Sequence, residues 1–286
     1  MKPLLHALIL LALVLPSVPT AAGDTWPSDL YAFDNGLTKT QPIDAKVRLL
    51  KERGFAGVGG RPGQVAEWLE ALDREGLRLA TLYVTLKAEA AYDGLSQDLC
   101  AEIRLLKGRG TVIWLNLNRG EGATDDVAVR IIRDAADVAR ESGLKVALYP
   151  HVNCYTERVE DVVRLAEMTA RDNVGTSFNL CHFLKTDQES NLEKALRLAA
   201  PRLMVVSLNG ADTGDTRSMG WDRLIRPLGE GDFDNARLLG LLKEMGFTGP
   251  VTLQCYSIKQ DDAVHLQESI SAWNKIIGPI QSTPAP

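Results

Sequence analysis

The chain is predicted to be an α/β protein of the (β/α)8 TIM-barrel type, and three observations predict it. A helical stretch that stops at a Gly and feeds directly into an apolar strand recurs along the sequence. Eight such strand and helix units fit into about 250 residues, the span this barrel needs. No Gly-rich phosphate turn follows the first strand, where Asp34-Asn35-Gly36 stands instead, and that disfavours a doubly wound open sheet.

The repeat is clearest where Leu49-Leu50-Lys51-Glu52-Arg53-Gly54-Phe55-Ala56-Gly57 returns as Leu241-Leu242-Lys243-Glu244-Met245-Gly246-Phe247-Thr248-Gly249. Looser copies run over Leu72-Asp73-Arg74-Glu75-Gly76-Leu77 and Ala139-Arg140-Glu141-Ser142-Gly143-Leu144. Each Gly occupies the first position past a helix, where a left-handed backbone costs it least. A short buried strand that follows within one or two residues marks the αβ turn of a parallel sheet. In order, strands are expected near 30–34, 55–59, 77–84, 111–117, 144–149, 174–179, 203–208 and 251–255. Helices are expected near 43–53, 63–75, 95–107, 124–142, 156–171, 188–199, 235–245 and 261–277, with Thr124 and Thr156 as N-caps ahead of acidic first turns. The long polar stretch 210–234, with Gly210, Gly214 and Gly220 as hinges, is expected to be a mobile lid over the barrel mouth.

Of the 286 residues, 45% are hydrophobic and 24% charged, an ordinary globular balance. A net charge of −5 gives no basic surplus for nucleic acid. Lys2, the apolar run Leu4 to Leu15 and the small residues Thr20-Ala21-Ala22 read as a secretory signal peptide over 1–22, cleaved before Gly23. That run falls short of the ~20 residues of a membrane span. The expected organisation is therefore a signal peptide at 1–22, one barrel at 23–277 and a flexible Pro/Ser/Thr-rich tail at 278–286, in a secreted or periplasmic protein.

Three parts of the sequence resemble a known family. Leu228-Gly229-Glu230-Gly231-Asp232-Phe233-Asp234, then a helix, then Gly246-Phe247-Thr248-Gly249-Pro250 before the last strand, is similar to the closing signature of the xylose isomerase-like sugar isomerase/epimerase superfamily. Asn179-Leu180-Cys181-His182 resembles its D-x-x-H after strand six, and Gly54-Phe55-Ala56-Gly57-Val58 its second strand. The resemblance implies a divalent metal held by Glu, Asp, His and Glu at the ends of strands five to eight, with the two Glu side chains moving a proton at a sugar carbon beside a carbonyl. Carried over, these positions are Tyr149, Asn179, Ser207 and Gln254, with the strand-seven register open by two residues and no His anywhere on that strand. All four depart from the pattern. Divalent ions of this kind are bound by carboxylate and imidazole, and a neutral amide is no general base. No cofactor is expected, and any divalent metal binding is expected to be weak.

In a barrel of this type, chemistry sits where strands end and the following loops begin. His151 and His182, at adjacent strand ends, are the candidate catalytic residues, since imidazole can give or take a proton near neutral pH without a metal. His182 also aligns with a substrate-contacting His of the family. Tyr149, Asn179, Gln254, Ser207, Asn209, Asn116 and Asp34 are the candidate ligand contacts. A glycosidase would need two carboxylic acids across the mouth, yet strands four and seven end in Asn116 and Asn209. Cys154 and Cys181 follow neighbouring strands, so a disulfide, free thiols or a Cys2His2 zinc site with the two His all stay open. Two functions remain: an enzyme moving a proton on a sugar or sugar derivative, or a non-catalytic carbohydrate-binding or scaffold protein that keeps only the pocket. The expected partner is a small carbohydrate, with no nucleic acid and no membrane span.

Overall fold

A computed structural model describes Trp26 and residues 29–282, so the predicted signal peptide and residues 283–286 lie outside the described residues. Eight parallel strands close into a barrel in sequence order, β1 (Leu30–Phe33), β2 (Gly57–Gly60), β3 (Arg78–Ala88), β4 (Val112–Arg119), β5 (Lys145–Leu148), β6 (Val174–Asn179), β7 (Leu203–Leu208) and β8 (Val251–Leu253). Closure comes from β1 pairing with β8 through Tyr31 and Thr252. The surrounding helices are α1 (Ile43–Arg53), α2 (Val65–Glu75), α3 (Gln97–Leu105), α4 (Asp125–Glu141), α5 (Val159–Thr169), α6 (Leu180–Thr186), α7 (Leu192–Ala199), α8 (Trp221–Leu224), α9 (Asn235–Glu244) and α10 (Asp262–Ser282).

The αβ turns are as the repeat requires. Gly54, Gly76, Gly143 and Gly246 all have φ between 65° and 83°, the left-handed conformation that ends a helix cheaply in Gly. Thr124 accepts from the backbone N–H of Val127 and so caps α4. Thr156 does not cap α5. Its buried hydroxyl donates to the Tyr149 carbonyl at 3.0 Å, and α5 begins at Val159 with the Asp161 carboxylate accepting from the Arg158 N–H. Strands β3 and β4 run past the rim together to Ala88 and Arg119, longer than their apolar runs. At the other end of the chain α10 continues to Ser282 with Pro279 inside it, so residues 278–282 are helical and not a tail.

Alternation along the strands divides the buried side chains into two cores. One lies between strands and helices and includes Leu82, Leu115, Leu117, Val146, Val206 and Leu253. The second fills the barrel itself with Phe33, Val112, Trp114, Ala147, Tyr149 and Val205, against Tyr83 and Met204. Gly59 in β2 leaves room for this interior, since a Cβ there would stand 2.6 Å from the Thr81 hydroxyl.

The 210–234 stretch does reach the mouth, but it is fastened along its length. Gly210 and Arg226 exchange two backbone hydrogen bonds, at 3.0 and 2.9 Å. Asp212 pairs with Arg223 and Arg226, and Arg226 also pairs with Glu230. Lys185 and Thr216 tie it to α6. Gly210 is a packing residue and no hinge, for a Cβ there would lie 2.1 Å from the Pro227 carbonyl oxygen. Hydrogen exchange should therefore show Gly210, Asp212 and Arg226 protected, and Asp212→Ala should release the segment before the strands; fast exchange of all three in the unmutated protein counts against this docking.

Candidate functional site

At the carboxyl ends of the strands lies a cavity of about 540 Å3 lined by Phe33, Asn35, Arg61, Tyr83, Asn118, Tyr149, His151, Val152, Asn153, Cys154, His182, Trp221, Ile225, Gln254 and Tyr256. Its floor is the top of the barrel core. Tyr149 stands edge-on to Trp114 at 4.5 Å and to Tyr83 at 5.2 Å between ring centroids, a packing that favours the ring quadrupoles.

His151 and His182 meet on this floor with ring centroids 3.9 Å apart. Strand β5 delivers the first. His182 sits in the opening turn of α6, a seven-residue helix with no apolar period of its own. Asn179 makes that turn possible, because its side-chain oxygen accepts from the His182 N–H at 3.2 Å and caps the helix. His151 Nδ1 lies 2.8 Å from the Val152 carbonyl oxygen. A carbonyl only accepts, so Nδ1 carries the proton and Nε2 is left with a free lone pair. His182 Nδ1 is buried without a hydrogen-bond partner.

Burial holds both imidazoles below their ordinary value, His182 well below it with the neighbouring His151 adding to the effect. His265, on the buried face of α10, is lowered by burial too. The unfolded chain takes up protons below about pH 6.5, where the folded one keeps these rings neutral. Stability should therefore fall as pH drops through that value. Thermal melts at pH 7.5 and 5.5 check it, and His182→Gln should flatten the difference; a melting temperature that is constant or rises toward pH 5.5 sinks the prediction.

The candidate ligand contacts separate into three groups. Tyr149, His151, His182 and Gln254 line the cavity together. Asn179 lies one bond behind, its amide nitrogen donating to the Tyr149 hydroxyl at 2.7 Å. Asn116, Ser207, Asn209 and Asp34 are buried and outside the lining. Asp34 forms a buried pair with Lys46 at 2.9 Å and meets Arg61 at 3.1 Å. Asn209 donates to the carbonyls of Gly210 and Leu224 at 2.7 Å, so it latches the 210–234 segment. Ser207 lies opposite Asn179 in the β6–β7 register, and its hydroxyl has no hydrogen-bond partner. The cysteines are free. Cys154 donates to Asn118 Oδ1 at 3.1 Å with His151 Nδ1 at 3.3 Å, while Cys181 is bonded to Asn179 at 3.0 Å.

Asn35, Arg61 and Asn118 were legible only as strand-end residues, and nothing in the sequence pointed to Phe33, Trp221, Ile225 or Tyr256. Trp221 comes from α8, four residues inside the docked segment, and stands 5.5 Å from the His182 ring.

The donors at the four strand ends do not fit a divalent ion of the carboxylate-bound kind. Both oxygen-bearing amides are engaged, Asn179 as described and Gln254 Oε1 with Asn35 Nδ2 at 2.6 Å and the Tyr256 N–H at 3.2 Å. Burial holds the Tyr149 phenol well above its ordinary value and therefore protonated. Among the described residues no group of three or more His, Cys, Asp or Glu is placed to hold a metal, the Cys2His2 arrangement included.

A closed (β/α)8 barrel with its cavity at the strand ends defines the class. The chain matches the model of the xylose isomerase-like TIM barrel family over residues 47–276 and belongs to that family. An inosose isomerase from Halalkalibacterium halodurans is 24% identical over 131 residues, 45% of either chain, so the match spans about half of that relative's length. Among solved structures, the IolI protein with a bound zinc atom superposes with a TM-score of 0.69 at 15% identity, covering 89% of this chain and all of that one. A 3-keto-D-glucoside 4-epimerase from E. coli gives 0.62 at 19%, covering 86% and 98%. A D-allulose 3-epimerase from Methylomonas sp. gives 0.66 at 15%, covering 87% and 97%.

Proposed function

We propose that this protein is exported and takes a small uncharged sugar or sugar derivative in the strand-end cavity, where His151 and His182 move a proton without a tightly held divalent metal. The close imidazole pair, with ring centroids 3.9 Å apart, carries this reading. Both rings are held neutral, and the bond from His151 Nδ1 to Val152 leaves Nε2 as the base. Phe33, Trp221 and Tyr256 offer flat apolar faces, and Asn35, Asn118 and Gln254 offer amides for hydroxyl groups, the mixture a sugar needs. The isomerase and epimerases among its relatives give the class of reaction by analogy. Among the described residues no helix is long and apolar enough to cross a membrane, and the apolar run at 4–15 supports export.

A second reading, a carbohydrate-binding protein without turnover, is favoured by the neutral residues at all four family metal positions.

Calorimetric titration with neutral aldoses, ketoses and inositols, with and without chelator, followed by NMR detection of carbon-bound deuterium uptake from solvent, tests both. Binding with uptake that is lost in His151→Asn supports the enzyme. Binding alone selects the second reading, and no binding to any of them removes the sugar site. Export is checked by N-terminal sequencing, with a mature chain expected to begin at Gly23; a chain retained in the cytosol with Met1 intact would exclude it.

A further inference from the structure

The amino ends of the strands, at the far end of the barrel from the site above, hold a second cavity of about 370 Å3. Its charges come from Arg78 at the start of β3 and Lys145 at the start of β5, and its lining contains no carboxylate. In a chain of net charge −5 that is a local reversal of sign. Lys145 shares the inward face of β5 with Ala147 and makes no hydrogen bond or ion pair among the described residues. Arg78 spends one of its five N–H groups, at 3.4 Å, on the Tyr31 hydroxyl. Asp29 meets that hydroxyl at 3.5 Å, but it lines the neighbouring cavity and not this one.

The two cations flank the start of β4. Val112 pairs with Lys145, and Arg78 Nη2 lies where Gly110 leaves room for it, 3.5 Å from the point a Cβ would occupy. Strands β3 and β5 stand two spacings apart, about 10 Å, so both long side chains reach one anion from either side. The carboxyl ends of α4 and α9 also face this end, and open helix ends repel an anion. Theirs are closed. The N–H groups of Gly143 and Leu144 bond the carbonyls of Arg140 and Ala139, and those of Gly246 and Phe247 bond the carbonyls of Lys243 and Leu242. Leu203, Met204 and Pro250 add half-buried apolar surface to the same lining.

We infer that this cavity is a second ligand site, which takes the phosphate group of a small phosphate monoester between Arg78 and Lys145 and its organic part on Leu203, Met204 and Pro250. A guanidinium fork and an ammonium together match a tetrahedral dianion. The volume exceeds what a bare phosphate fills, and the apolar surface gives the remainder a use. The site is independent of the sugar reading, because it shares no lining residue with the strand-end cavity.

Phenyl phosphate and inorganic phosphate, titrated into the full chain and followed by amide NMR, are the probes. The signals of Gly110, Gly143 and Lys145 should move and saturate, with half-saturation near about 1 mM at low salt, the worth of two charge-assisted hydrogen bonds. Phenyl phosphate should bind at least about threefold more tightly than inorganic phosphate, because part of its ring leaves water. Arg78→Gln and Lys145→Gln alter exposed side chains, so both variants should fold, and each should weaken binding about tenfold. Arg61 is the rival cation in the strand-end cavity, and Arg61→Gln should leave the titration as it is. No saturable shift, or a shift that survives both substitutions at the amino ends, overturns the site. Movement centred on Asn35 and Arg61 places the anion in the other cavity and overturns it too. Equal affinity for the two probes overturns the monoester assignment. Variants that lose stability while the unmutated chain shows no phosphate-dependent shift would assign Arg78 and Lys145 to offsetting the helix ends alone.

Discussion

Purified without substitution, the protein is expected to carry well under one equivalent of manganese, magnesium, cobalt or zinc per chain, and a chelator should leave its melting temperature unchanged. A divalent ion entering a partly desolvated barrel mouth gives up its hydration, and anionic ligands offset that cost through Coulomb attraction. Tyr149, Asn179, Ser207 and Gln254 bring no charge. Two of them already spend their oxygens on internal hydrogen bonds, Asn179 on His182 and Cys181, and Gln254 on Asn35 and Tyr256. The double variant Asn179→Asp with Gln254→Glu restores two carboxylates in the same shapes. It should bind Mn2+ at least about tenfold more tightly than the unmutated chain, ~1.4 kcal/mol, and gain a chelator-sensitive melting temperature, with Tyr149 and Ser207 still keeping affinity low. Elemental analysis decides the matter. About one tightly held metal per unmutated chain, lost in His182→Ala, would move the ligands onto the imidazoles and Cys154.

What was legible in the sequence is what local chemistry specifies. Gly54, Gly76, Gly143 and Gly246 each end a helix by a backbone conformation that needs no distant partner, so the barrel's punctuation could be read in order. The pairing of His151 with His182 was legible for a different reason: once eight strands close, adjacent strand ends converge whatever fills the loops. Helix α6 was not, because seven residues carry no usable period and the turn depends on the Asn179 cap. Asp34 and Asn209 look alike from sequence, polar residues just past strands, yet one is bound to Lys46 and the other to two loop carbonyls. A signal for Asp34 did exist. Lys46 falls on the buried face of α1 beside Ile43, Val47 and Leu50, and a buried ammonium needs an anion. Trp221 carried none, since its place over His182 depends on how Asp212, Arg223 and Arg226 fasten the segment around it.

The largest loss of stability from one substitution is expected at Trp114. It is fully buried in the barrel, packs its ring at 5.3, 6.0 and 4.5 Å from Phe33, Tyr83 and Tyr149, and donates from Nε1 to the Ser177 hydroxyl at 2.7 Å. Ser177 in turn donates to the Leu148 carbonyl at 3.0 Å, so the indole ties β4 through β6 to β5 across the interior. Trp114→Ala should cost about 3–5 kcal/mol, the range for truncating a large buried aromatic. The strands around it cannot collapse inward, because the barrel's closure fixes their spacing, so the void persists and the upper half of that range is favoured. Urea unfolding should show a lower midpoint at an unchanged slope, and a loss under about 1 kcal/mol would mean the interior is loosely packed. Trp114→Phe keeps a ring against Tyr149 and gives up the Ser177 bond, so it should cost less than Ala.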